Sequence, residues 1–145
     1  MAARWDWRAD ELFAVFEHAP AALAAALAIQ RQAAAEAWPE ERPVRLRVGL
    51  HTGEPTLAEG GYVGLAVHIA ARVCSAAHGG QILLSSNSRD AMDAGDRLAA
   101  GIGLRELGRY QLQGLPAAEA LFQVEVADLL PEFPPLRAVE VRLGQ

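Results

Sequence analysis

The chain has 145 residues, 52% of them hydrophobic, which is a one-domain length able to bury a core without disulfides or structural metal. A single cysteine, Cys74, excludes an internal disulfide, and no stretch is apolar and long enough to span a bilayer, so a reducing cytoplasm is the expected location. All 13 basic residues are arginines, set against 18 acids for a net charge of -5, and none form the basic block that tracks a phosphate backbone, so direct nucleic-acid binding is not expected.

In chain order, Leu12 to Phe16 is a short apolar, aromatic run that suits a buried strand, with Arg8-Ala9-Asp10 as the turn leading into it. Pro20 tolerates the missing N–H of a first helical turn, and the alanine-rich stretch from Ala21 to Ala37 with Leu23 and Leu27 reads as a helix ending before Trp38-Pro39. Val44, Leu46, Val48 and Leu50 then alternate with polar or small residues, a period of two that predicts a strand with one face on a core. Thr52-Gly53-Glu54-Pro55 and Glu59-Gly60-Gly61 read as loops. Leu65 to Ala77 reads as a helix stopped by Gly79-Gly80.

Gln81 to Ser85 predicts a buried strand, Ser86 to Met92 a short helix, Leu104 to Leu112 a strand, Gly114-Leu115-Pro116 a turn, and Leu121 to Val126 a last strand. This mixed order predicts an α+β fold. Beyond Val126 the chain becomes proline-containing, so 1–127 is expected as the domain and 128–145 as a linker or tail. Among isolated polar residues, His51 is expected as a hydrogen-bonded structural residue, His78 as a cap on its helix C-terminus, Cys74 as a small packed side chain, and Glu40-Glu41 as a solvated loop.

Five segments, taken together and in order, carry a resemblance. RVGLHTGEP (Arg47 to Pro55), YVGLAVHIAARV (Tyr62 to Val73), HGGQILLS (His78 to Ser85), LRELGRYQLQGL (Leu104 to Leu115) and ALFQV (Ala120 to Val124) resemble the later motifs of class III adenylate/guanylate cyclase domains. The resemblance covers about Asp10 to Val126. It implies a ferredoxin-like nucleotide cyclase fold, a mostly antiparallel sheet with helices packed on it, here with the family's first strand missing. It also implies a homodimer or a heterodimer with another cyclase domain, ATP or GTP as ligand, and Mg²⁺ or Mn²⁺ held by two aspartates.

Carried over residue by residue, the match is incomplete. The first metal aspartate falls before the chain begins, and Asp10 stands where the second would. The purine-reading lysine falls near Asp6 and the purine-reading aspartate at Gly61, which has no side chain to read a base. Leu65 replaces a frequent aspartate and is expected to pack the start of its helix. His68 and Arg72 match the family's ribose-orienting asparagine and phosphate-steadying arginine, four apart and so on one helical face. With these losses the resemblance implies a domain of cyclic nucleotide signalling that is inactive alone. The alternative is a non-catalytic dimerisation or nucleotide-sensing module of a bacterial regulator, since the Glu132–Arg137 run resembles the exit from such domains.

Overall fold

The computed structural model describes residues 3–8 and 11–142, with side chains from residue 11 onward. Strands β1 (Ala3–Arg8) and β2 (Glu11–Phe16) form an antiparallel hairpin, and helix α1 (Ala19–Ala35) follows with Pro20 in its first turn. Strand β3 (Val48–Leu50) leads to a small hairpin, β4 (Thr56–Ala58) and β5 (Gly61–Val63), and then to helix α2 (Leu65–Ala76). Strand β6 (Ile82–Ser85), helices α3 (Ser86–Asp90) and α4 (Ala94–Ala99), and strands β7 (Gly103–Gln111), β8 (Glu119–Glu125) and β9 (Val139–Val141) complete the order.

The main sheet has five strands in the order β3-β6-β8-β7-β9, with β3 parallel to β6 and the remaining pairs antiparallel. The fold is therefore α+β, as the sequence pattern predicts. Its two faces follow from the period of two along β6 and β8. Ile82, Leu84, Phe122 and Val124 pack with Leu23, Ala26 and Leu27 of α1. Leu83 and Leu121 point the other way and pack with Val73 and Ala76 of α2 and with Tyr110, Leu112 and Leu115. A strand covered on both faces is apolar without alternation, which is why ILLS is buried at every position.

The three buried glutamines of this core are hydrogen-bonded. Gln30 Nε2 donates to the Leu46 carbonyl at 2.7 Å, Gln81 Nε2 to Gln123 Oε1 at 2.7 Å, and Gln123 Nε2 to the Pro131 carbonyl at 2.8 Å. The chain thus uses side-chain amides to hold the Leu46 run to α1 and the Pro131 segment to β8, and to join Gln81 to Gln123.

Several segments differ from the sequence expectation. The strand expected over Val44 to Leu50 is hydrogen-bonded as a strand only at Val48–Leu50, because its partner β6 is four residues long. The segment read as loop between Thr52 and Gly61 contains the β4–β5 hairpin, and β1 and α4 were not expected. Among the described residues the β1–β2 hairpin pairs with no other strand.

Of the 128–145 segment, expected to lead away as a linker, the described part, 128–142, returns to the domain. Arg137 N–H donates to the Ala76 carbonyl at 3.0 Å, Leu136 and Ala138 pack against the core beneath α2, and β9 adds to the edge of β7. Its prolines interrupt regular structure without carrying the chain off the surface. We refer to 131–141 as the strap.

Candidate functional site

Helix α2 is where the motif residues gather. Its approach to the sheet is set by Gly49: a Cβ there would lie 2.3 Å from the Cys74 backbone nitrogen and 2.6 Å from its Cα, so only glycine lets β3 and α2 meet. Cys74 is half-buried at this contact, and its Sγ donates to the Arg47 carbonyl at 3.5 Å. Burial pushes the thiol pKa up, which keeps it protonated and inert.

With α2 held there, His68 and Arg72 share its outer side. His68 is exposed and Arg72 half-buried. Arg72 Nη1 donates to Gln113 Oε1 at 3.5 Å, a long bond that leaves most of the guanidinium's donors unused. His68 Nε2 lies over the backbone of Gly114, where a Cβ would be 3.5 Å away. Gly114 takes φ +78°, so the turn between β7 and β8 needs glycine and brings Gln113 beneath Arg72. Gln113 and Gly114 are site residues that sequence reasoning passed over as a turn; the Gly after Leu-Gln was the available signal.

The motif pair is therefore brought together, while Asp10 lies outside the described residues and Asp6 is placed only by its backbone register opposite Phe13. Gly61 sits in β5 with φ +118° and open space around it. Among the described residues, which do not include Asp10, no three His, Cys, Asp or Glu side chains gather as they would around a metal ion.

A cleft of about 360 Å³ lies near the start of α2, lined by His51, Glu54, Thr56, Asn87 and Glu119 among others, and neither His68 nor Arg72 lines it. His51 Nδ1 and Ser85 Oγ are 2.7 Å apart, as a structural histidine would be, and Thr52 Oγ1 and Ser88 Oγ are 2.9 Å apart. Burial lowers the pKa of His51 and raises that of Glu119, the latter opposed by Arg109. The cleft lining holds two carboxyl groups and no arginine, which makes it a poor seat for a polyphosphate. Arg72 is the better placed group for an anion.

Leu65 corrects its expectation. It is 59% exposed, and with Leu57 at 56% and Val63 at 47% it leaves three large apolar side chains in solvent on the β4–β5 hairpin and the first residue of α2. His78 also differs: its Nε2 bonds the Pro135 carbonyl at 2.8 Å instead of capping α2. Glu40 and Glu41 are exposed, as expected of a solvated loop.

No protein-family model matches the chain. Uncharacterized proteins of Mycobacterium bovis and Mycobacterium tuberculosis are 40% identical to it over 134 residues, 92% of this chain and 44% of theirs. The chain thus spans about half the length of the curated relatives it matches. Among solved structures, an adenylate/guanylate cyclase/hydrolase from Silicibacter pomeroyi superposes with TM-score 0.72 at 27% identity, over 87% of this chain and 73% of that one. An adenylate cyclase of Trypanosoma brucei, analysed in its monomeric state, superposes with TM-score 0.71 at 21% identity, over 87% and 70%. No helix among the described residues is long and apolar enough to cross a membrane.

Proposed function

We propose, from the premise that this chain has a class III adenylate/guanylate cyclase-like fold, that it acts as a nucleotide-binding half of a cyclase-type pair in the cytoplasm. It presents Arg72 to the phosphates and His68 to the ribose of ATP or GTP, and it makes no cyclic nucleotide alone. One observation carries the reading: Arg72 stands on the outer side of α2 with, among the described residues, a single 3.5 Å bond, to Gln113, beside His68 and the bare backbone of Gly114.

A guanidinium stays charged at any cellular pH and can bond two phosphate oxygens, so it suits the charge that develops on a reacting phosphate. His68 can exchange one hydrogen bond with a ribose oxygen, while Gln113 is placed to hold the arginine fork in position. Gly61, with no side chain, gives no base selection. The metal chemistry of the family, activation of the ribose hydroxyl and neutralisation of the triphosphate, would come from a partner that carries both aspartates.

The test is a cyclase assay with ATP or GTP and Mn²⁺. The chain alone should give no product, and the chain mixed with a cyclase subunit that supplies both metal aspartates but lacks the matching arginine should give product, lost on Arg72→Ala. Absence of product in the mixture, from well-folded proteins, counts against the half-site.

A second reading, a non-catalytic dimerisation module, is favoured by Leu57, Val63 and Leu65. Three exposed large apolar side chains on one hairpin and the adjoining helix start suit a protein partner better than solvent. Sedimentation separates the two: a dimer that dissociates on Leu65→Ser, without turnover in any mixture, selects the second.

A further inference from the structure

We propose that the cleft between the end of α1, the 38–45 run and the 127–131 segment binds a small carboxylic acid with a flat apolar body and one hydrogen-bond donor. The proposal does not rest on the nucleotide reading, because no residue of α2 lines this cleft.

The apolar body follows from the walls. The cleft holds about 510 Å³, within the range of small-molecule sites, and its lining is mostly apolar. Three large apolar side chains that stay in solvent meet around it: Trp38 at 38% exposed, Val44 at 40% and Leu130 at 60%. Apolar surface gathered in a concavity favours whatever ligand takes it out of water. Trp38 is a fixed wall, since its Nε1–H donates to the Ala33 carbonyl at 2.8 Å, and an indole face held in place suits a flat ring.

The donor follows from Gln30, which lines the cleft and is 4% exposed. Its Nε2 donates to the Leu46 carbonyl at 2.7 Å and to the Gln81 carbonyl at 3.4 Å, so the orientation of the amide is set. Oε1, an acceptor with two lone pairs, has no hydrogen-bond partner among the described residues. The side-chain atom sealed from solvent without a partner is Arg105 Nε, so Oε1 stays reachable, and the opening that Gln30 faces is this cleft. Covering such an acceptor with carbon alone is costly, so the site selects an occupant that brings an N–H or O–H to it.

The acid follows from the charges at the rim. Asp128 lines the cleft, but Arg31 holds both of its oxygens, at 2.8 and 3.1 Å. Arg45 lines it too, is exposed, and its guanidinium makes no hydrogen bond or ion pair with any described residue. The unmatched charge at the cleft is therefore one guanidinium, whose paired donors fit a carboxylate.

Indole-3-acetic acid combines the three features and serves as the probe, titrated into the whole chain by calorimetry. It should bind saturably, one molecule per chain. 1-Methylindole-3-acetic acid keeps the ring and the charge but has no N–H, and it should bind about fivefold more weakly. This comparison tests Gln30 in the native chain, with no substitution of its buried amide. Arg45→Gln should weaken the acid about threefold and leave the uncharged 3-methylindole unaffected. Trp38→Ala should weaken both, by removing the wall. No binding of indole-3-acetic acid at millimolar concentration would overturn the site. So would equal affinity for the methylated acid, or an affinity unchanged in Arg45→Gln or in Trp38→Ala, as an adventitious ligand would show.

Discussion

Two sides of α2 obey different rules. On the side facing β3 the Cys74 backbone comes so close that a methyl group at Gly49 would overlap it, and Val73 and Ala76 are fully enclosed beside it. On the outer side His68 sits in solvent over Gly114, and Arg72 keeps donors unused. One side has its identity dictated by packing; the other carries charged and polar groups that the fold itself does not need. That contrast is the physical sense in which the outer side is available for a ligand, and three perturbations probe it in decreasing order of effect.

The largest is Gly49→Ala. The new Cβ would meet backbone atoms at 2.3 and 2.6 Å, which no rotamer change can relieve, so β3 or α2 must shift. Forcing extra volume into a packed contact costs about 3 kcal/mol, and because β3 is a three-residue edge strand with a single hydrogen-bonded partner, we expect loss of soluble protein or a correspondingly lower urea midpoint. An unchanged midpoint would mean that α2 is not clamped at Gly49.

How much of this was open to sequence reasoning varies along the chain with the range of the deciding interactions. The strand over Gln81–Ser85 and the helices near Ala21–Ala37 and Leu65–Ala77 were foreseen within a few residues, because their apolar runs and glycine or proline stops are local signals. The strap was misread because the prolines at 131, 134 and 135 are a local signal for irregular chain. The bonds that hold it, Arg137 to Ala76 and His78 to Pro135, join residues more than fifty positions apart. Leu65 was misjudged for a related reason: an apolar residue at a helix start says nothing about whether a neighbouring element covers it, and here it is left 59% exposed. For the site, the pairing of His68 with Arg72 followed from helical spacing, while Gln113 and Gly114 arrive from β7 and no spacing rule within α2 could name them.

Next in size is the response of the whole fold to acid through His51, at the far end of β3 from the strap. Its burial disfavours the charged ring, so its folded pKa is below the value of about 6.5 of an exposed imidazole. The sign follows from proton counting. Below that value the unfolded chain binds a proton that the folded chain resists, so the stability from neutral His51 is complete above about pH 6.5 and declines as the pH falls. Urea midpoints should therefore drop between pH 7.5 and 5.5, and less in His51→Asn, whose amide can still bond Ser85. An equal pH slope in His51→Asn would remove His51 from the account.

The smallest effect on stability should come from the outer side itself. Arg72→Ala removes a half-buried side chain whose one described contact is a 3.5 Å bond to Gln113, so the urea midpoint should stay within about 0.5 kcal/mol of the native chain, as for substitutions away from packed or networked positions. The same substitution should abolish product in the mixed cyclase assay, because the guanidinium is the group on α2 suited to a phosphate. Stability kept and product lost identifies a side chain retained for a ligand. A large loss of stability would instead show that Arg72 holds the β7–β8 turn in place through Gln113, and the two sides of α2 would then be structural alike.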